Sequence, residues 1–120
     1  MMTRILVVDD AAFMRTMLKR ILEEEGFEVY EAPDGDVAVK KYAEQKFDLV
    51  TMDIVMPKMD GVTAVKEIMK GDPEAKIIMI TALAHKTLVL RALRAGARDF
   101  IVKPFDSAAV IEAVNNTLKA

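Results

Sequence analysis

The 120-residue sequence contains no cysteine, which removes a disulfide scaffold, thiol catalysis and cysteine-bound zinc at once. That absence fits a reducing compartment, and the chain is expected to be cytoplasmic. A single histidine, His85, excludes a histidine-rich metal centre. At the start of a predicted helix it reads as exposed and without a catalytic role. No apolar run approaches the roughly 20 residues that a membrane-spanning helix needs, so no membrane insertion is expected. Met1-Met2-Thr3-Arg4 lead straight into an apolar stretch, and no signal peptide is expected. With 17 basic and 19 acidic residues, a net charge of −2, the chain lacks the basic footprint of a nucleic-acid binder. Glycine-rich phosphate loops of the Walker or dinucleotide-binding kind are missing as well.

What is present is globular: 52% of residues are hydrophobic and 30% charged, enough for one core in one domain covering residues 1–120. Five short apolar runs alternate with five amphipathic segments. The runs predict strands over residues 4–8, 28–31, 49–52, 76–80 and 100–102, several with the little polar alternation expected of strands covered on both faces. Helices are predicted over residues 12–25, 35–45, 61–70, 86–95 and 107–118. In the first, Phe13, Met17 and Ile21 form one stripe, with Met14, Leu18 and Leu22 beside it. Asp34 and Asp106 are placed to cap the second and fifth helices, and Gly26 and Gly96 to stop the first and fourth. Val62, Val65, Ile68 and Met69 are expected to be the buried side of the third helix, and Val110, Ile111, Val114 and Leu118 that of the fifth. No linker, low-complexity segment or internal repeat interrupts the pattern.

Strict β–α alternation predicts a doubly wound, five-stranded parallel sheet with five helices on its two faces, a flavodoxin-like three-layer sandwich. Such sheets bind ligands beyond the carboxyl ends of their strands. The residues there are Asp9 and Asp10, Asp53, Thr81 and Ala82, and Lys103. Adjacent carboxylates repel, and a cation relieves that repulsion. Three acids suit Mg²⁺, which takes oxygen ligands and keeps several waters. Lys103 supplies a mobile positive charge and Thr81 a hydroxyl donor, both fit to grip a phosphoryl oxygen. The set describes phosphoryl transfer, with a carboxylate as the nucleophile that forms an acyl phosphate.

In order and spacing, Asp9-Asp10, Asp53 within Met52-Asp53-Ile54-Val55-Met56-Pro57-Lys58-Met59-Asp60-Gly61, Thr81-Ala82 and Lys103-Pro104-Phe105 resemble response-regulator receiver domains. The resemblance spans essentially the whole chain. Its length and the stretch Asp9-Asp10-Ala11-Ala12-Phe13-Met14-Arg15 are most similar to stand-alone chemotaxis regulators of the CheY type. The resemblance implies that Asp53 is the phosphoacceptor, charged by a sensor histidine kinase. It implies that Asp10, with Asp9 directly or through water, holds Mg²⁺ together with Asp53 and the backbone carbonyl of Val55. Lys103 would pair with Asp53 at rest, and Pro104 would follow a cis peptide bond. Thr81 would swing toward the phosphoryl group and Phe100 rotate into the vacated space. That motion would switch the surface of helix four, strand five and helix five toward an output protein such as a flagellar-motor switch component. Phe100 stands where many members carry tyrosine and brings no hydroxyl. By the same resemblance Val55 and Leu83 would flank the route of attacking water; both are apolar, which implies slow self-dephosphorylation. A phosphatase is a further implied partner.

Blander roles compete at each position. Asp10 could cap the first helix, Asp53 could be a loop acid, Thr81 an ordinary strand-end threonine, and Lys103 a surface lysine. For the whole chain the alternatives are a receiver in another phosphorelay, a small aspartate-nucleophile phosphatase, or a binding module of the same fold without chemistry. The phosphatase would place its second acid two residues after the nucleophile, where this chain has Ala11 after Asp9-Asp10.

Overall fold

Short runs form strands β1 (Arg4–Val8), β2 (Glu28–Ala32), β3 (Leu49–Met52), β4 (Ile77–Thr81) and β5 (Asp99–Val102), rich in Val, Ile and Leu except in the edge strand β2. They come from a computed structural model that describes residues 2–83 and 85–120. Between and after them run helices α1 (Ala12–Glu24), α2 (Gly35–Glu44), α3 (Gly61–Gly71), α4 (Lys86–Ala95) and α5 (Ser107–Lys119). The strands make one parallel sheet in the order β2-β1-β3-β4-β5. Every residue of β3 and β4 is buried, as is β1 from Ile5 onward, which explains a sequence there that is apolar apart from Thr51 and Thr81.

Alternate strand residues serve opposite helix layers. On one face Ile5, Val7, Leu49, Ile78 and Ile80 meet Leu18 and Leu22 of α1 and Val110 and Val114 of α5. On the other, Leu6, Val8, Val50, Met52 and Met79 meet Ala38 and Tyr42 of α2, Val65 and Ile68 of α3, and Ala92 of α4. Each such large aliphatic side chain, fully buried, contributes about 1.5–3 kcal/mol.

The punctuation predicted from sequence is largely present. The Asp34 carboxylate accepts from Val37 N at 2.9 Å and Asp106 from Ala109 N at 2.8 Å. Gly26 and Gly96 end α1 and α4 with φ of 91° and 126°, the left-handed region open to glycine. Asp60 also caps α3, accepting from Thr63 N at 3.0 Å, a role not anticipated. Two expectations and one of the rival readings need correction. Phe13 is not part of a buried stripe: it is 74% exposed, because the opening turn of α1 stands beyond the last residue of β1 and has no sheet beneath it. Asp10 does not cap α1; the N-cap is Ala11, with no side-chain bond. Strand β4 lies one residue later than predicted. Thr81 is thus a paired strand residue opposite Val102, while Lys76 instead donates to the carbonyls of Leu118 and Ala120 at 2.9 Å.

Candidate functional site

The strand order sets the location. From β1 the chain first builds outward to β2, then returns to place β3 on the other side of β1. The crevice opens at that reversal. Val8 and Met52 are in register, so the next residues, Asp9 and Asp53, leave the sheet side by side. The ladder continues one step past the strands: Asp53 N donates to Val8 O at 3.0 Å and Asp9 N to Ala32 O at 3.2 Å. Asp9 and Asp53 are only 1% and 7% exposed, whereas Asp10 faces solvent. One carboxylate oxygen from each of the three lies within 4.8 Å of the other two.

Lys103 reaches these acids from the end of β5. Its backbone N donates to Thr81 O at 2.9 Å, and the Lys103–Pro104 peptide is cis, as expected. The ammonium lies 2.6 Å from Asp9 Oδ2 and 3.3 Å from Asp53 Oδ2. The pairing expected with Asp53 is therefore present, but Asp9 is the closer partner. Burial disfavours the charged amine; the hydrogen bond it donates to Asp9 and the charges of Asp53 and Asp9 outweigh it, and the Lys103 pKa lies above the usual lysine value.

Three carboxylates facing one ammonium leave a deficit of two positive charges, which a divalent cation would meet. Octahedral Mg²⁺ with bonds of about 2.1 Å separates its ligand oxygens by no more than about 4.2 Å. The spacing and all-oxygen chemistry of Asp9, Asp10 and Asp53 suit such an ion after small side-chain adjustment.

Asp53 is gripped from its own loop. Its Oδ1 accepts from Ile54 N at 2.8 Å, leaving Oδ2 toward Lys103. Gly61 N donates to Ile54 O at 2.7 Å and folds the loop back onto β3. The other predicted residues surround this centre. Thr81 is buried, with its hydroxyl accepting from Leu83 N at 3.2 Å. Val55 and Leu83 are exposed on the loops after β3 and β4. Phe100 is partly buried on β5 against the core beneath α2, α3 and α4.

Two residues of the surrounding frame escaped sequence reasoning. Arg15 Nη1 donates to the Asp9 carbonyl at 2.7 Å, and its Nε to Glu31 Oε1 at 3.2 Å. The available signal was a basic residue one helical turn beyond the Asp9-Asp10 exit.

The family model described as "Response regulator receiver domain" matches residues 5–115. The chain belongs to this family. The receiver is 59% identical to the chemotaxis protein CheY of Bacillus subtilis over 116 residues, covering 96% of this chain and 97% of that protein. It is 56% identical to CheY of Thermotoga maritima over 117 residues, covering 97% and 98%. Among solved structures, a chain from the CheX–CheY–BeF3–Mg²⁺ complex of Borrelia burgdorferi aligns with a TM-score of 0.92 at 44% identity, covering 95% of this receiver and 87% of that chain. Homology to CheY is consistent with a chemotaxis response regulator, and the fold is the CheY-like, flavodoxin-like one the sequence predicts.

Proposed function

We propose that residues 1–120 act as a single receiver domain that takes a phosphoryl group from a sensor histidine kinase onto Asp53. The observation that carries this reading is the meeting of Asp9, Asp10, Asp53 and Lys103 at the sheet's reversal point. Asp53 Oδ2 attacks the donor phosphorus; the acyl-phosphate bond forms as the phosphorus–nitrogen bond breaks, and the imidazole departs. Asp9, Asp10, Asp53 and the Val55 carbonyl would hold Mg²⁺, which when bound draws the charge of the phosphoryl oxygens. Lys103 gives its ammonium to a second phosphoryl oxygen, and the Thr81 hydroxyl turns from Leu83 N to a third. The chain's chemistry is confined to its own phosphorylation and dephosphorylation.

On this reading the turn of Thr81 lets Phe100 move inward and reshapes the face of α4, β5 and α5. Leu90 and Leu93 on α4 and Val102 on β5 are exposed apolar residues there, the kind of surface a partner covers. The output is a partner protein in chemotaxis, such as a flagellar-motor switch component, and the setting is cytoplasmic. A partner of the CheX kind, or a phosphatase that resets Asp53, completes the cycle. Among the described residues no helix is long and apolar enough to cross a membrane.

The test is intact mass spectrometry after incubation with Mg²⁺ and a small phosphodonor. One Mg²⁺-dependent phosphoryl group, lost in Asp53→Asn, is expected. Continuous phosphate release from unrelated esters would instead indicate a phosphatase, and no gain from any donor a binding module.

A further inference from the structure

The Asp9–Asp10 peptide is held from outside the acid cluster. Its carbonyl oxygen accepts from Arg15 Nη1 at 2.7 Å, while Nε of the same guanidinium donates to Glu31 Oε1 at 3.2 Å. Arg15 is partly buried, its side chain 18% exposed, and Glu31 comes from β2. The fork thus spans from the first turns of α1 to the outer strand, crossing the exit of β1. Glu31 is itself anchored: it lies opposite Val7 in the β1–β2 ladder, immediately before Ala32, whose carbonyl accepts from Asp9 N. Lys19, one turn farther along α1, stands 3.8 Å from the other Glu31 oxygen.

A peptide group is planar, so the carbonyl oxygen of Asp9 and the Cα of Asp10 lie in one rigid plate. A bond that fixes that oxygen also fixes the direction in which Asp10 leaves the strand. Asp9 is otherwise well tethered, with Oδ1 accepting from Ala11 N at 2.9 Å and Oδ2 from Lys103. Asp10 is the exposed member of the trio, and the plate set by Arg15 defines its starting point. We infer that Arg15, braced by Glu31, is a positioning residue that orients the Asp9–Asp10 peptide for binding a divalent cation. This rests on the reading of Asp9, Asp10 and Asp53 as the Mg²⁺ site.

Charge and position pull in opposite directions here, which makes the inference decidable. Arg15 carries a positive charge close to a site for a cation. If that charge were its only influence, Arg15→Met would tighten Mg²⁺ binding by removing repulsion. If the fork positions the peptide, the same variant binds more weakly, since supports behind metal ligands are worth roughly 10- to 100-fold in affinity. A role confined to stability would lower the melting temperature and leave affinity unchanged.

The experiment is calorimetric titration of the full chain with MgCl2, without phosphodonor, alongside circular dichroism. Wild type, Arg15→Met, Arg15→Lys, Glu31→Gln and the Arg15→Met/Glu31→Gln pair are compared. Expected are roughly tenfold weaker binding in Arg15→Met, a smaller loss in Glu31→Gln, and a double variant no worse than Arg15→Met. Arg15→Lys keeps the charge but cannot bridge both partners, so it also binds more weakly than wild type. Wild-type or tighter affinity in Arg15→Met overturns the inference, as does full affinity in Arg15→Lys. If Arg15→Met does not fold, Arg15→Lys is read in its place, and wild-type affinity there overturns the inference. A wild-type chain that takes up no Mg²⁺ overturns the reading of the site itself, and this inference with it.

Discussion

Gly61 lies so close to Asp53 that a Cβ placed on it would meet the Asp53 carbonyl oxygen at 1.9 Å and its carbonyl carbon at 2.8 Å. The glycine is there for close approach: it is the first residue of α3, and its N–H bonds the Ile54 carbonyl. In an unconstrained helix interior, alanine in place of glycine would gain about 1 kcal/mol. Here Gly61→Ala has to push the loop that carries Asp53, and a loss of about 1–3 kcal/mol is expected instead. Urea denaturation reads the sign directly, and a gain would show that the loop yields freely.

Lys103 shares one ammonium between two buried carboxylates. Lys103→Met leaves Asp9 and Asp53 unpaired, and a destabilisation of about 3 kcal/mol is expected without divalent cation. Excess Mg²⁺ should recover part of that loss. Because the folded pKa is raised, the lysine's contribution is fully present below its unfolded value of about 10.4 and is lost as pH rises through the folded one. The gap between wild type and variant should therefore hold from about pH 6 to about pH 9 and narrow only above about pH 10.5.

At the other end of the sheet, the Tyr42 hydroxyl donates to Asp72 Oδ2 at 2.6 Å, with both residues buried. That bond, helped by Glu74 N and Lys46, lowers the Asp72 pKa against the effect of burial. Burial first, and Asp72 second, raises that of Tyr42. A depressed carboxylate contributes stability above its unfolded value and loses it as pH falls through the folded one. Tyr42→Phe is thus expected to cost about 1.5–3 kcal/mol at neutral pH, and progressively less below about pH 4. Above about pH 10, where unfolded tyrosine ionises, the wild type should lose stability that the variant keeps. Denaturation at three pH values checks all of this.

Val55 and Leu83 present apolar, exposed side chains on the two loops beside Asp53 and Thr81. Neither can orient a water by hydrogen bonding. Val55→Asn and Leu83→Glu are expected to shorten the lifetime of the phosphorylated chain, each roughly five- to tenfold, the worth of about one hydrogen bond. Decay of the phosphorylated mass with time measures it, and unchanged lifetimes would dismiss the water-access idea.

The fold was legible because burial on both faces leaves a plain mark. Ile5 to Val8 is apolar at every position and Leu49 to Met52 at all but Thr51, and each run is followed by an acid where the sheet ends. Asp9, Asp10, Asp53 and Lys103 could be nominated from that ending alone. Phe13 misled because helical periodicity is local, whereas its exposure depends on where the sheet beneath it stops. The β4 boundary slipped because Thr81 is polar yet still pairs with Val102, a fact set by the neighbouring strand. The pairing of Arg15 with Glu31 was invisible for the same reason, since a salt bridge across 16 residues has no periodicity to betray it.

The in-register ladder has one more consequence. Val8 faces Met52, Met52 faces Met79, and Thr81 faces Val102, so the acids and Lys103 are counted off from aligned rungs. A slip of one rung would turn Asp53 toward the opposite helix layer. The sheet therefore acts as a ruler for the acids, and the ruler is read only at its end. Outer helix surfaces can change sequence without altering that measurement, so the exposed sides of α4 and α5 can vary while the spacing of Asp9 and Asp53 stays the same.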